Sequence, residues 1–279
     1  MVIPPFSEIP ASEFDLRKTL ESGQIFHAMP MKTGWQVLVD RVPIYLEQRD
    51  ATLLVERGRE ALAAHYLALD HPLPEIYANF PPDAFSQAAL TACRGLRVMR
   101  QPHWECLATF ITSPMKQVAH IRQISLTLRQ RFGRKAKGSL INAYPAPEVL
   151  GALEESELRD CQLGFRAKSL LKAARAVADG SVDLSAMSDL PTEEARKRLC
   201  TVPGVGRKVA NCVLLFAYER LDAVPVDVWI GRILLAMRKR KGSNLDLEKF
   251  SKRRFGLYAG YVQQYLFHHA RTTRTLPSP

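Results

Sequence analysis

Two periodicities divide the chain. Residues 34–57 alternate apolar and polar side chains between turn-like breaks and are rich in β-branched residues, which predicts two or three antiparallel strands. Residues 61–69 and nearly every segment after residue 85 repeat apolar residues at helical spacing. The predicted helix breaks are Gly95, Gly133, Pro145, Gly151, Gly164, Gly180 and Pro203. We therefore predict a mainly α, α+β fold, with a small antiparallel sheet domain over residues 1–92 and a helical body over residues 93–279.

The charge of the chain narrows the choice of partner. Lysine and arginine outnumber aspartate and glutamate by 39 to 28, a formal net charge of +11, which points to a polyanion such as DNA, RNA or an acidic membrane. No apolar stretch approaches the roughly 20 residues of a membrane-spanning helix, and the first ten residues lack the pattern of a secretory signal. We expect a cytoplasmic protein with no membrane partner.

The five cysteines do not form a metal-binding pattern. They are scattered between residues 93 and 212, and no two have C-x-x-C spacing. A zinc site or an iron–sulfur cluster needs three or four thiolate or imidazole ligands at close, regular spacing. We therefore expect reduced thiols, no iron–sulfur cluster and no required cofactor.

Residues 190–234 carry most of the chemical information. Within them, residues 192–216 predict two helices joined by the tight turn Pro203-Gly204-Val205-Gly206. Its glycines permit positive φ and leave backbone N–H groups uncovered at the start of the second helix. Such a hairpin can hold a DNA phosphate but reads no base sequence, and hairpins of this kind are common in DNA-binding modules without catalytic activity.

Lys208 lies at the head of the second helix of this hairpin. Spacing of four residues places Lys208, Cys212 and Phe216 on one face. An amine beside a thiol and an aromatic ring is desolvated, and desolvation favours its neutral, nucleophilic form. Asp227 follows Pro225 and precedes a predicted helix over residues 228–237, so we predict that it is both a helix N-cap and an oriented, ionised carboxylate.

Two motifs combine these residues, VPGVGRKVANC at 202–212 and AVPVDV at 223–228. With them, the chain closely resembles the helix-hairpin-helix Gly/Pro-Asp superfamily of DNA glycosylases, and within it the 8-oxoguanine DNA glycosylase/lyase branch. The resemblance extends through four further segments: ESGQIFH at 21–27, GLRVMRQPHWECLATFI at 95–111, LGFRAKSLLKAARAV at 163–177 and YAGYVQQYLF at 258–267. It implies a small sheet domain joined to a two-lobed helical body.

The resemblance also implies roles for individual residues. Lys208 matches the nucleophile that attacks the sugar C1′ and forms a Schiff base, and Asp227 matches the carboxylate that stabilises the cationic sugar. Gly23 matches the residue whose carbonyl accepts a hydrogen bond from N7–H of 8-oxoguanine. Cys212 and Phe267 match the pair that sandwiches the flipped base, with Phe216 as a further wall. Gln263 matches the side chain that binds its Watson–Crick edge.

Around the orphaned base the chain departs from the family pattern. Met115 stands where an asparagine fills the hole left by the flipped nucleotide, so an apolar wedge replaces an amide. His120 replaces one of two arginines that read the opposite cytosine, whereas Arg166 matches the other. Trp229 stands where a histidine often contacts the 5′ phosphate. We therefore expect a looser preference for the opposite base.

The resemblance further implies that the hairpin, with Gly204 and Gly206 at the phosphate, binds a cation through backbone carbonyls. These carbonyls map to Cys200, Val202 and Val205, and their chemistry suits an alkali or alkaline-earth ion.

The sequence predicts a monomeric base-excision repair enzyme that acts on double-stranded DNA containing 8-oxoguanine, as both glycosylase and lyase. Two alternatives stay open: a related glycosylase for a different damaged or mismatched base, and a DNA-binding protein that retains the hairpin without catalysis.

Overall fold

The computed structural model describes residues 5–238 and 242–277. Its sheet has five antiparallel strands in the order β1-β5-β4-β3-β2. The strands are β1 (Phe6–Pro10), β2 (Met29–Pro30), β3 (Trp35–Val39), β4 (Val42–Arg49) and β5 (Thr52–Glu56). Two or three strands were predicted within residues 34–57, and the structure has three there, β3, β4 and β5. The prediction missed β1 and β2, which are short edge strands, each with a proline, and have no alternating pattern of their own.

Helices make up most of the remaining described chain. They are α1 (Leu16–Glu21), α2 (Glu60–Tyr66), α3 (Leu73–Ala78), α4 (Ala84–Cys93), α5 (His103–Thr112), α6 (Val118–Phe132), α7 (Pro147–Gly151), α8 (Glu155–Leu158), α9 (Arg166–Ala178), α10 (Thr192–Thr201), α11 (Arg207–Ala217), α12 (Val228–Arg238), α13 (Asn244–Phe255) and α14 (Ala259–Thr273). Six of the seven predicted breaks lie between helices, and Gly151 is the last residue of α7. The predicted mainly α, α+β class is confirmed.

Two hydrophobic cores underlie this architecture. One lies between the sheet, α1 and α2, and takes its members from residues 11–67 together with Met99. The other fills the helical body and includes residues of α3 and α4. Along the chain, the members of the first core end at Leu67 apart from Met99, and α3 and α4 pack their apolar faces on the body. The domain boundary at residue 92 stays a prediction.

A buried charge cluster joins the sheet domain to the body. His27 Nδ1 lies 3.0 Å from Glu105 Oε1 on α5, and the Arg129 guanidinium on α6 pairs with the same carboxylate. All three side chains are buried. Burial would raise the pKa of Glu105, but the charges of Arg129 and His27 and their hydrogen bonds lower it to about 2.

Candidate active site

The hairpin between α10 and α11 has the predicted tight turn. Its Val205 N–H donates to the Val202 carbonyl at 3.0 Å. Gly204 has φ +84°, and a Cβ added there would lie 2.5 Å from Cβ of Ser169 on α9. Gly204 therefore uses the positive φ that glycine permits. Gly206 does not, because it has φ −94° in extended backbone, and a Cβ added there would meet no atom within 4 Å.

The amine of Lys208, at the head of α11, lies over two stacked phenylalanine rings. Its Nζ donates to Ser113 Oγ at 3.2 Å and lies 5.5 Å from the centroid of the Phe110 ring. Phe216 stacks on Phe110 with ring centroids 5.4 Å apart. The predicted face of α11 is thus present, but Phe110 and Ser113 come from α5 and its end, almost 100 residues away.

Cys212 lies one helical turn after Lys208 and is 3% exposed. Burial raises the pKa of its thiol to about 11, although the neighbouring charge of Lys208 acts in the opposite direction. The side chain is therefore a neutral thiol at physiological pH. It offers a flat, polarizable surface inside the body.

Asp227 is the N-cap of α12, as predicted. Its Oδ1 accepts a hydrogen bond from the Ile230 N–H at 2.8 Å, which orients the carboxylate. Burial raises its pKa above the ordinary value, while the Ile230 N–H and the charge of Lys208 lower it. The net direction of this pKa shift is upward because desolvation outweighs the effect of the helix N-terminus, and the predicted ionised state of this carboxylate stays a prediction.

A second polar network holds Asp227 relative to α11. Asn211, next to Cys212, donates from Nδ2 to the Val224 carbonyl at 2.8 Å, three residues before Asp227. Its Oδ1 accepts from Arg196 Nε on α10 at 2.7 Å. Both side chains are 1% exposed. Sequence reasoning did not identify these partners of Asn211, because they come from α10 and from the segment before α12.

The predicted base-binding residues of α14 lie beside the loop that follows α1. Gly23 has φ +85°, and a Cβ added there would lie 3.5 Å from Cε1 of Phe267. Gln264 Nε2 donates to the Ser22 carbonyl at 3.1 Å, which ties this loop to α14. Gln263 is 4% exposed, and its Oε1 has no hydrogen-bond partner among the described residues. A buried acceptor without a partner is a candidate for contacting a ligand.

Met115 projects from a turn at the end of α5. The Lys116 N–H donates to the Ser113 carbonyl at 3.1 Å, and Met115 has φ +61° with 96% of its surface exposed. Lys116 Nζ donates at 3.3 Å to the carbonyl of Gln162, in the loop that leads to α9. An exposed apolar side chain therefore stands where the wedge was predicted.

The loop before α9 adds a second exposed apolar side chain, which sequence reasoning did not single out. Phe165 is 67% exposed, and the Arg166 guanidinium lies 4.5 Å above its ring. Desolvation lowers the pKa of Arg166 from its ordinary value. His120 lies in the first turn of α6 and is half-buried.

The remaining predicted sites have less distinctive surroundings. Trp229 is half-buried and packs against the main core. The Val202 carbonyl uses one lone pair for the Val205 N–H and retains the other, so the three predicted carbonyl ligands stay a prediction. Within residues 5–238 and 242–277, no cluster of three histidine, cysteine or acidic side chains could hold a metal ion. No helix in these ranges is long and apolar enough to cross a bilayer.

Comparison with known proteins shows which proteins this chain resembles. The model of the N-terminal domain of 8-oxoguanine DNA glycosylase matches residues 7–107. A probable N-glycosylase/DNA lyase of Methanothermobacter thermautotrophicus is 28% identical over 96% of this chain and 97% of that protein. Residues 7–107 therefore match the N-terminal domain of 8-oxoguanine DNA glycosylase, and nearly the whole chain is similar to an N-glycosylase/DNA lyase. A Saccharomyces cerevisiae N-glycosylase/DNA lyase is 27% identical over 92% of this chain and 83% of that protein.

Solved structures of the family agree with this fold. The structure of MBOgg1 in complex with a low-affinity DNA ligand has 29% identity and a TM-score of 0.90, covering 96% of each chain. The Clostridium acetobutylicum 8-oxoguanine glycosylase/lyase, in complex with double-stranded DNA containing cytosine opposite 8-oxoguanine, has 24% identity and a TM-score of 0.89. It covers 99% of this chain and all of that one, and at this identity it supports the fold alone.

Proposed function

We propose that this protein removes 8-oxoguanine from double-stranded DNA and then cleaves the strand at the abasic site. The observation that carries the proposal is the Lys208 amine. The amine lies at the head of a buried helix that follows the phosphate-binding hairpin. The carboxylate of Asp227, which caps α12, is close enough to the amine that the lysine charge acts to lower the pKa of this carboxylate. Relatives named N-glycosylase/DNA lyase support the same activity.

In the proposed reaction, Lys208 Nζ attacks C1′ of the flipped nucleotide. The C1′–N9 bond breaks, and the base leaves with the bonding electron pair and takes up a proton. Opening of the sugar gives an imine between Nζ and C1′. Loss of a C2′ proton then expels the 3′ phosphate and nicks the strand. Asp227, oriented by the Ile230 N–H, stabilises the positive charge that develops on the sugar.

Recognition of the lesion would use the loop after α1 and the buried face of α14. The Gly23 carbonyl would accept from N7–H of 8-oxoguanine, a proton that guanine lacks, and the amide of Gln263 would bind the Watson–Crick edge. Cys212 and Phe267 would cover the two faces of the base. A site built to satisfy a hydrogen bond discriminates strongly against a base that leaves it unpaired.

Contacts to the rest of the duplex would come from three places. The N–H groups at the start of α11, directly after the turn of Gly204 and Gly206, would hold a phosphate, and a cation on the hairpin carbonyls would add positive charge there. Trp229 would donate its indole N–H to a second phosphate. Met115 would fill the hole in the duplex, and His120 and Arg166 would face the orphaned base. A single monomer can make all of these contacts.

Borohydride trapping tests the proposal. Wild-type protein should become covalently attached to a duplex containing 8-oxoguanine, and Lys208→Gln should form no adduct. Lys197→Gln is the matched control, because it removes the same charge from an exposed position on the first helix of the hairpin. Absence of an adduct from the wild-type protein with every lesion would overturn the lyase mechanism, and retention of DNA binding alone would favour a non-catalytic protein.

The same assay separates the remaining alternatives. A panel of duplexes should include 8-oxoguanine opposite each of the four bases, together with alkylated and mismatched bases. We expect excision of 8-oxoguanine opposite cytosine to exceed excision opposite other bases by no more than about 100-fold. The reason is that His120 replaces one of the two arginines that would read the cytosine, and each contact to a base is worth about 1–3 kcal/mol. A preference of several orders of magnitude would refute that expectation.

A further inference from the structure

The Lys208 amine donates a hydrogen bond to the hydroxyl of Ser113. Ser113 is 5% exposed. Its Oγ lies 2.9 Å from the Phe110 carbonyl and 3.2 Å from Lys208 Nζ. A carbonyl can only accept, so the hydroxyl proton goes to Phe110. The lone pairs of Ser113 Oγ then accept the hydrogen bond from the amine. Both hydrogen bonds therefore have a defined direction, from Lys208 Nζ to Ser113 Oγ and from Ser113 Oγ to the Phe110 carbonyl.

The position of the amine is restricted from two sides. Ser113 holds the Nζ end of the side chain, and the Phe110 ring lies 5.5 Å below it. Phe110 is itself held by Phe216, stacked at an interplanar angle of 13°. A lysine side chain otherwise has four rotatable bonds and a large rotamer entropy. The hydroxyl therefore selects one arrangement of an otherwise flexible nucleophile.

Ser113 also begins the turn that carries Met115. Its carbonyl accepts the Lys116 N–H at 3.1 Å, which closes the turn around Met115. One residue thus contacts the amine through its side chain and shapes the proposed DNA wedge through its backbone. Displacement of this turn by an inserted wedge would move the acceptor of the amine.

We propose that Ser113 is a positioning residue for Lys208, and that it couples the seating of Met115 in DNA to the placement of the amine. The proposal rests on the proposed function, because it assumes that Lys208 is the nucleophile. It assigns Ser113 no contact with the substrate. Its effect is on the rate of the chemical step and not on DNA affinity, since orientation of a reacting group acts on the step in which it reacts.

Ser113 is also the C-cap of α5, so a variant could lose activity by unfolding. The chain offers a matched control. Thr112 is 1% exposed and donates from Oγ1 to the Thr109 carbonyl at 2.7 Å. Like the Ser113 hydroxyl, the Thr112 hydroxyl donates to the backbone carbonyl three residues earlier, but it makes no hydrogen bond to Lys208 in the described structure. Thr112→Val removes that bond as Ser113→Ala removes the other, and Ser113→Thr keeps a hydroxyl at position 113.

Single-turnover base excision and borohydride trapping are measured at saturating enzyme, and DNA affinity and melting temperature in parallel. Ser113→Ala should slow both reactions by about 10- to 100-fold. Its DNA affinity should stay within about threefold of the wild-type value. Ser113→Thr should restore most of the rate, and Thr112→Val should match the wild type. Equal rates for Ser113→Ala and Thr112→Val would overturn the proposal, as would parallel losses of rate, affinity and melting temperature.

A double-mutant cycle tests the coupling. In a Met115→Gly background, Ser113→Ala should slow excision by a clearly smaller factor than in the wild type, because part of its effect depends on the seated wedge. Factors that simply multiply would overturn the link to Met115. Failure of the proposed function is distinguishable from both results, since the wild-type protein would then form no adduct to compare.

Discussion

Replacement of Gly204 by alanine tests the packing of the hairpin directly. The residue has φ +84°, and the new Cβ would lie 2.5 Å from Cβ of Ser169 and 2.9 Å from its Oγ. Left-handed backbone costs a residue with a side chain about 1–2 kcal/mol, and overpacking of a tight contact costs about 1–3 kcal/mol. We therefore expect Gly204→Ala to lower the free energy of unfolding by about 2–5 kcal/mol, the sum of these two costs.

Gly206→Ala is the matched control, because Gly206 has φ −94° and no atom within 4 Å of an added Cβ. Its free energy of unfolding should stay within about 1 kcal/mol of wild type. Both variants are unfolded in urea and followed by circular dichroism. Displacement of the hairpin in Gly204→Ala should also weaken DNA binding.

Ser169→Gly separates the two costs of Gly204→Ala. It removes the two atoms that the new Cβ would meet within 3.0 Å and leaves Ile111 Cγ2 at 3.4 Å, an ordinary contact distance. In that background the cost of Gly204→Ala should therefore fall to the backbone part, about 1–2 kcal/mol. The Ser169→Gly substitution alone should cost about 1 kcal/mol, as glycine does within a helix. Equal stabilities of Gly204→Ala and Gly206→Ala, or no relief from Ser169→Gly, would refute this account of the hairpin.

Substitutions at three further residues separate stability from catalysis. Glu105→Gln should lower the free energy of unfolding at pH 7 by about 3–5 kcal/mol, because it leaves Arg129 buried without a countercharge. The pKa of Glu105 is about 2 in the folded state, below its ordinary value of 4.5, so its contribution is complete above pH 4.5 and is lost as the pH falls toward 2. Urea unfolding at several pH values should show the gap between variant and wild type closing over that range, and a constant gap would contradict the assignment. Gln263→Leu removes a buried acceptor without a partner, so the melting temperature of the variant should equal or exceed that of the wild type. Its excision of 8-oxoguanine should fall. A loss of stability with normal excision would contradict the proposed role of Gln263. Asp227→Asn should keep the cap, so its free energy of unfolding should stay within about 0.5 kcal/mol of wild type, but it should excise the base at least about 100-fold more slowly. Asp227→Ala should also lose about 1 kcal/mol of unfolding free energy, because it removes the cap. Unchanged excision by Asp227→Asn would show that the residue is only a cap.

The sequence by itself determined the parts of this protein that depend on neighbouring residues. The spacing of four residues from Lys208 to Cys212 and Phe216 defines one helical face, and the chemistry of Asp227 before an apolar helix defines an N-cap. Alternation between residues 34 and 57 predicted two or three antiparallel strands, where the structure has three. The family motifs added the positions of Gly23 and Gln263, and the comparisons support the family to which those motifs belong.

Only the tertiary structure decided the environment of those residues. Ser113 comes to Lys208 from 95 positions away, and the edge strands β1 and β2 form only because β5 and β3 provide partners for pairing. Burial, which no local pattern measures, raises the pKa of Asp227 against the expectation from its helix terminus. Periodicity specifies which face of a helix is apolar, but the groups that meet that face, and how much water they exclude, depend on the packing of the whole chain.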